Sequence, residues 1–256
     1  MQGKPHDDFV GYYARESLSN ATRERFLSIQ SKVLKLAPRR TLDVLDVGCG
    51  AGTQARMWAE LGHRVQGVDV NVDLIEIARK RTDGEPRDIR FVVASAARLP
   101  FADASMDVCL LPELLEHVGD WEGCLDEAVR VLRPRGVLYL STTNALCPRQ
   151  QEFDLPMYSW YPPALKRRYE RLAVTSRPEL VQHAPYPAVH WFTPYGLARW
   201  LKTRGMRCLD RFDMVESSAM SSVRRAVSRG LQRSRVLRFV GHVLTPSTLL
   251  FAVKEH

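Results

Sequence analysis

One run, Leu45-Asp46-Val47-Gly48-Cys49-Gly50-Ala51-Gly52-Thr53, restricts what this chain can fold into more than any other part of it. An apolar stretch that ends in three glycines at alternate positions describes a buried strand whose backbone turns sharply into a helix. The alternation continues on both sides of that turn. Asp43–Val47, Val65–Val70, Ile89–Ala94, Asp107–Leu111 and Val137–Thr142 are short apolar runs of strand length. Helix-like stretches at Thr53–Leu61, Val72–Arg81 and Trp121–Leu132 separate them, and Arg133-Pro134-Arg135-Gly136 reads as a break between helix and strand. Short apolar runs divided by helices predict an α/β fold, a mostly parallel sheet covered by helices on both faces.

At 256 residues, 45% of them hydrophobic, the chain suits one such domain with additions. Residues 1–40 are expected to form a helical cap, with Ser31–Leu36 leading into Pro38. Residues 41–143 are the core and 194–256 complete the sheet. In that last part a helix at Pro194–Arg204, strands at Met206–Val215 and Thr248–Val253 and a basic helix over 217–245 are expected. Between them, 144–193 is dense in proline and aromatic residues, a composition that fits an irregular lid. Five scattered cysteines without a CxxC spacing suggest free thiols. No stretch has the roughly 20 apolar residues of a membrane span, and the amino end lacks the apolar core of a secretory signal. The expected location is cytoplasmic.

The net charge of +8 is local. Six arginines and no acid lie in Ser222–Arg238, and Lys166, Arg167, Arg168 and Arg171 stand against Glu170 alone in Ala164–Arg171. The remainder is close to neutral, so nucleic-acid binding by overall charge is not expected. Val223, Val227 and Leu231 give the basic helix a thin apolar side. It reads as a solvated helix covering the sheet, with peripheral contact with an anionic membrane as the alternative.

The glycine turn is suited to a ligand. A dinucleotide fingerprint would want glycine where this chain has Thr53, and Asp46, two residues before the first glycine, would repel a pyrophosphate. A cationic ligand end suits that acid better. Asp69 closes the next strand 23 residues later, where a carboxylate can accept two ribose hydroxyls through charge-assisted bonds.

With these motifs the chain resembles the class I S-adenosylmethionine (SAM)-dependent methyltransferases, in particular the group that includes the ubiquinone-biosynthesis O-methyltransferases. The resemblance rests on LDVGCGAGT, the VDV around Asp69, RLPFADASMDV (Arg98–Val108), ELLEHV (Glu113–Val118) and RVLRPRGVLYLSTTN (Arg130–Asn144). It covers Thr41–Thr143 closely and Trp191–Asp210 more loosely. It implies a Rossmann-like, seven-stranded sheet with a reversed last strand, and SAM as cofactor. Asp46, Gly48, Cys49, Gly50, Gly52, Asp69, Val70, Ser95, Ala96 and Leu111 are the implied cofactor residues. Ser95 stands where relatives carry an aspartate for the adenine amine, a neutral and shorter acceptor.

On the acceptor side, His117 is the candidate general base, since an unperturbed imidazole titrates near neutrality. A structural histidine is the alternative. No metal is expected, although Glu113 and Glu116, three residues apart and able to share a helix face, leave a Mg²⁺ site with His117 open; glutamates on a helix surface are usually solvated. Trp160 and Tyr161 are expected to wall the acceptor pocket and Lys166–Arg168 to offer an anion contact, with His183 and His190 as further lid candidates. The expected reaction is methyl transfer to oxygen of a small-molecule, lipid or glycan-type acceptor. An RNA methyltransferase and a non-catalytic SAM-binding protein are the alternatives; the oligomeric state is left open.

Overall fold

Strand residues alternate between two cores, and that alternation accounts for the architecture. The computed structural model describes residues 10–11, 20–85, 87–150, 152–181, 188–215 and 222–256. The parallel strands are β1 (Asp43–Val47), β2 (Arg64–Asp69), β3 (Ile89–Val93), β4 (Met106–Pro112) and β5 (Leu132–Thr143). Val44, Val65, Val108, Leu110 and Val137 face one core, and Leu45, Cys109, Leu111, Leu138 and Leu140 the other. A sheet apolar on both faces must be covered twice. Helices α1 (Asn20–Leu36), α2 (Thr53–Glu60) and α3 (Val72–Thr82) cover the first face. There Phe26 meets Trp58 edge-on with ring centroids 5.6 Å apart. The second face is covered by α4 (Trp121–Val131) and α6 (Pro194–Lys202), with the lid helix α5 (Pro163–Thr175) between them in sequence.

The chain ends with β6 (Met206–Asp210), α7 (Ser222–Arg233), α8 (Arg235–Val243) and β7 (Ser247–Lys254). Strand order is β3-β2-β1-β4-β5-β7-β6, and β7 runs antiparallel to both β5 and β6. The expected seven-stranded sheet with one reversed strand is therefore present. Its strand order reverses between β1 and β4, where open α/β sheets bind ligands at the strands' carboxyl ends. Part of the Arg98–Val108 motif is structural: Arg130 donates to the carbonyls of Leu99 (3.1 Å) and Phe101 (2.8 Å), and Glu127 accepts the Leu99 amide (2.7 Å).

Five expectations differ from what is observed. Arg133–Gly136 does not break the chain; β5 runs through it, with Arg135 in the left-handed region (φ 66°) and a register shift against Met106 and Val108. The strand expected to reach Val215 stops at Asp210, because the Asp210 carboxylate accepts the amides of Phe212 (2.8 Å) and Asp213 (3.3 Å) and bends the chain into a turn. The lid is not irregular throughout. Pro163 opens α5 and no proline follows until Pro178, so a helix of 13 residues fits between them. Tyr158 stacks on Phe153 at 4.1 Å, and both are buried with Ala173 in a small core of the lid's own. The basic helix is two helices, divided where the Ser234 hydroxyl accepts the Leu237 amide and starts α8. Glu113 and Glu116 do not share a helix face: Leu115–His117 is a single 3-10 turn, and Glu113 precedes it at φ 48°.

Candidate functional site

The glycine turn is anchored by backbone hydrogen bonds to the second strand. The amides of Gly48 and Cys49 both donate to the Val68 carbonyl, at 2.8 and 3.0 Å. Gly48, Gly50 and Gly52 all adopt positive φ, at 73°, 51° and 76°. A Cβ on Gly52 would lie 2.7 Å from the Phe91 ring, and one on Gly48 2.9 Å from Leu114. A Cβ on Gly50 would meet nothing within 4 Å, so that glycine borders open space.

Asp69 ties the second strand to this turn. Its Oδ2 accepts the Gly50 amide (2.9 Å) and its Oδ1 the Asn71 amide (2.8 Å), while Asn71 caps α3 through the Leu74 amide. Each carboxylate oxygen keeps a further lone pair for a ligand hydroxyl. Asp46 is different. It is 1% exposed, and neither of its oxygens has a hydrogen-bond partner. Burial pushes its pKa up to about 7 and the charge of Asp69 adds to the rise; the neighbouring Gln54 side chain and Ala55 amide pull the other way. A buried carboxylate without partners is costly unless a cation meets it.

A cleft of about 200 Å³ opens beside the turn. Of the residues expected at the cofactor, Gly48, Asp69, Val70, Ser95 and Ala96 line it. Asp46, Cys49, Gly50, Gly52 and Leu111 are not among its lining residues; Leu111 is fully buried in the core, and Leu114 and Val118, further along the chain, line the cleft instead. Ser95 spends one acceptor position on the Ala97 amide at 3.2 Å. Cys49 is a free thiol whose pKa burial raises, so it is inert rather than nucleophilic.

His117 lines this cleft and also a second, larger groove of about 920 Å³. That groove runs along α5, with Ala164, Val174, Thr175 and Val189 as walls and Arg167, Glu170 and Arg171 at its edges. The lid residues expected there are only partly the ones found. Arg167 lines the groove, but Lys166 turns inward: its Nζ donates to the Ser159 carbonyl (2.8 Å) and sits 4.6 Å from the Trp191 ring centroid. Tyr161 packs against Tyr158 and Tyr169 in the lid core, and Trp160 is half exposed with its Nε1 donating to the Leu146 carbonyl. His190 bonds the Gly119 carbonyl through Nε2 at 3.2 Å, and His183 lies outside the described residues.

Around His117 sits a group of acids, of which the sequence pointed to Glu113 and Glu116 but not to Glu152. Glu116 is fully buried, not a solvated helix-surface residue. Thr142 donates to its Oε2 (2.7 Å), and burial, then the charge of Glu113, hold its pKa well above the ordinary value. Glu152, 35 residues further along the chain, comes within 4.0 Å of His117 Nε2; burial and Glu113 push its pKa to about 7. Glu116, His117 and Glu152 each offer a ligand atom within 4.8 Å of the others, a geometry able to hold a divalent cation with Glu152 in the place considered for Glu113. The lid is stitched to this turn, since the amides of Val189 and His190 both donate to the Glu116 carbonyl.

Residues 45–140, which span the glycine turn, Asp69, His117 and the strand before the lid, match the family described as a methyltransferase domain. Residues 45–140 form a methyltransferase domain, and the sheet has the class I fold. Among similar curated proteins, a malonyl-[acyl-carrier protein] O-methyltransferase of Serratia marcescens is 33% identical over 52% of this chain and 49% of its own length. A ubiquinone biosynthesis O-methyltransferase of Rhizobium rhizogenes is 37% identical over 42% of this chain and 43% of its own. The chain spans about half the length of the curated relatives it matches. In fold, the structure of a SAM-dependent methyltransferase from Aquifex aeolicus covers 99% of this chain and all of its own at a TM-score of 0.57 and 13% identity. SAM is the cofactor of a methyltransferase domain of this class. The residues fit it: Asp46 is an unpartnered buried carboxylate for a ligand with cationic groups, Gly50 leaves the backbone open, and Asp69 retains acceptor capacity. Beyond residue 140 the family match stops, and the lid and the two basic helices lie there.

Proposed function

We propose that this protein transfers a methyl group from SAM to an oxygen of an amphipathic small-molecule, lipid or glycan-type acceptor carrying an acidic group. The observation that carries the reading is the position of His117, which borders both the glycine-turn cleft and the groove along α5. Bound in the first, SAM supplies a methyl group already activated on a sulfonium. The protein's part is then to position the acceptor, exclude water and accept a proton. His117 takes the proton of the acceptor hydroxyl, and the imidazolium so formed favours the anionic form of Glu152, 4.0 Å away, which stabilises it in turn. Val174, Val189 and Ala164 supply an apolar wall, while Arg167 and Arg171 offer contacts to an anionic group of the acceptor.

A second reading has one observation in its favour. The buried Glu116 and the partly buried Glu152 beside His117 would also suit an amine, whose positive charge offsets theirs. Turnover of methyl-labelled SAM against separated lipid, polar-metabolite and RNA fractions tests both. Label entering the lipid or polar pool on oxygen, with Arg171→Gln raising KM for that acceptor by about tenfold, is the expected result. Label on an amine nitrogen transfers the assignment to the second reading, and label confined to RNA overturns both.

A further inference from the structure

The two basic helices near the carboxyl end are outside the chemistry described above, and the second of them is arranged inside out. A helix that merely covers a sheet turns its apolar side inward. In α8 the inward side is polar. Arg238 donates to Asp210 at 3.0 Å and pairs with Asp213, and His242, 1% exposed, bonds Asp210 through Nε2 at 2.9 Å. Gly241 lets the helix approach closely, for a Cβ there would lie 2.6 Å from the Phe212 ring. The apolar residues point the other way: Val236 and Leu244 are 72% and 74% exposed, and Leu237, Phe239 and Val240 are each close to half exposed. Tyr195, at the start of α6, stacks on Phe239 and extends the patch.

The charge around that patch has one sign. Arg233 and Arg235 are exposed beside it, as is Arg229 one turn earlier, and no acidic residue occurs between Glu216 and Glu255. We propose that this face, α8 with the end of α7, docks on an anionic phospholipid surface, the apolar side chains entering the headgroup boundary and the arginines meeting lipid phosphates. A second copy of the chain fits less well, because two-fold pairing would set arginines against arginines with no acid in the segment. A nucleic acid would meet the arginines but has no use for five exposed apolar side chains. The docking face is tied to the acceptor side of the molecule: Asn144, the first residue beyond β5 and the start of the lid, donates to the carbonyls of His242 and Thr245, both at 2.8 Å.

Co-sedimentation with vesicles tests this without acceptor or methyl donor, so its outcome is independent of the reaction assigned above. Vesicles of phosphatidylcholine alone are compared with vesicles containing about one third phosphatidylglycerol, at low and high salt. The expected result is binding to the anionic vesicles, weakened by salt, with little on the neutral ones. Two variants on exposed positions, Val236→Gln/Val240→Gln/Leu244→Gln and Arg233→Gln/Arg235→Gln, should each reduce it by more than about tenfold with unchanged circular dichroism and thermal melting. Absence of binding to the anionic vesicles overturns the proposal. So does binding that survives the apolar substitutions, which would be unspecific adsorption. A concentration-dependent dimer in sedimentation velocity that the apolar substitutions abolish also overturns it, by giving the face to a second copy.

Discussion

Cofactor binding should depend on pH through Asp46. In the free protein this carboxyl is buried, with the Gln54 side chain and the Ala55 amide near it but neither in hydrogen-bond geometry, and burial pushes its pKa up to about 7. Its folded pKa lies above the ordinary value of 3.8, so its protonation stabilises the free fold fully below that value, and the contribution is lost as pH rises through about 7. A ligand bringing positive charge to the carboxylate favours the ionised form and reverses the dependence. Affinity for SAM or S-adenosylhomocysteine is then proportional to the fraction of Asp46 ionised in the free protein. It should fall about tenfold from pH 8 to pH 6 and about a hundredfold by pH 5. The ligand's own amino group titrates near or above about pH 8, outside the steep window. Two nearby groups share the site: Asp69, whose charge contributes to the rise, and Cys49, whose pKa is raised far above the window. Isothermal titration calorimetry in buffers of different ionisation enthalpy measures the affinity and the protons released, close to one per ligand near pH 6. An Asp46→Asn variant should bind more weakly and lose the slope. An affinity that stays flat between about pH 5 and pH 8 in the unaltered protein, with no proton released, would refute the reasoning.

Three further outcomes are expected. Asp69→Ala removes the carboxylate that accepts the Gly50 and Asn71 amides, and should weaken S-adenosylhomocysteine binding by more than about tenfold in a folded protein, measured by calorimetry. His117→Ala should lower turnover by about 10²–10⁴-fold while leaving cofactor affinity nearly intact. Activity removed by EDTA and restored by Mg²⁺ would instead assign His117, with Glu116 and Glu152, to a cation site. Trp58→Ala, in the fully buried contact between α1 and α2, should cost about 3–5 kcal/mol in denaturant unfolding, with the slope against denaturant unchanged.

What could be read from the amino acids alone was whatever depends on neighbours along the chain. The alternation of apolar residues decides which face of a strand each side chain takes, so the five parallel strands were legible between Asp43 and Thr142, while the reversal of the last strand was implied only by the family resemblance. Glycines at 48, 50 and 52 state a backbone conformation other residues rarely adopt, and Asp46 and Asp69 stand at strand ends that one register brings together. Other features depended on contacts between distant segments. Glu152 reaches His117 because the lid folds back over the turn after β4, where the amides of Val189 and His190 bond the Glu116 carbonyl, and no local pattern encodes that closure. Leu114 and Val118, not Leu111, line the cleft because the left-handed step at Glu113 redirects the chain after β4. Composition suggested that Trp160 and Tyr161 would face an acceptor. Tyr161 packs in the lid's own core while Trp160 is held at its edge by the Leu146 carbonyl, which leaves the groove to Val174, Val189, Arg167 and Arg171. The orientation of α8 was decided the same way. Its periodicity marks two unlike faces, but Asp210 and Asp213, brought beside it by the turn after β6, draw Arg238 and His242 inward and leave the apolar face outside.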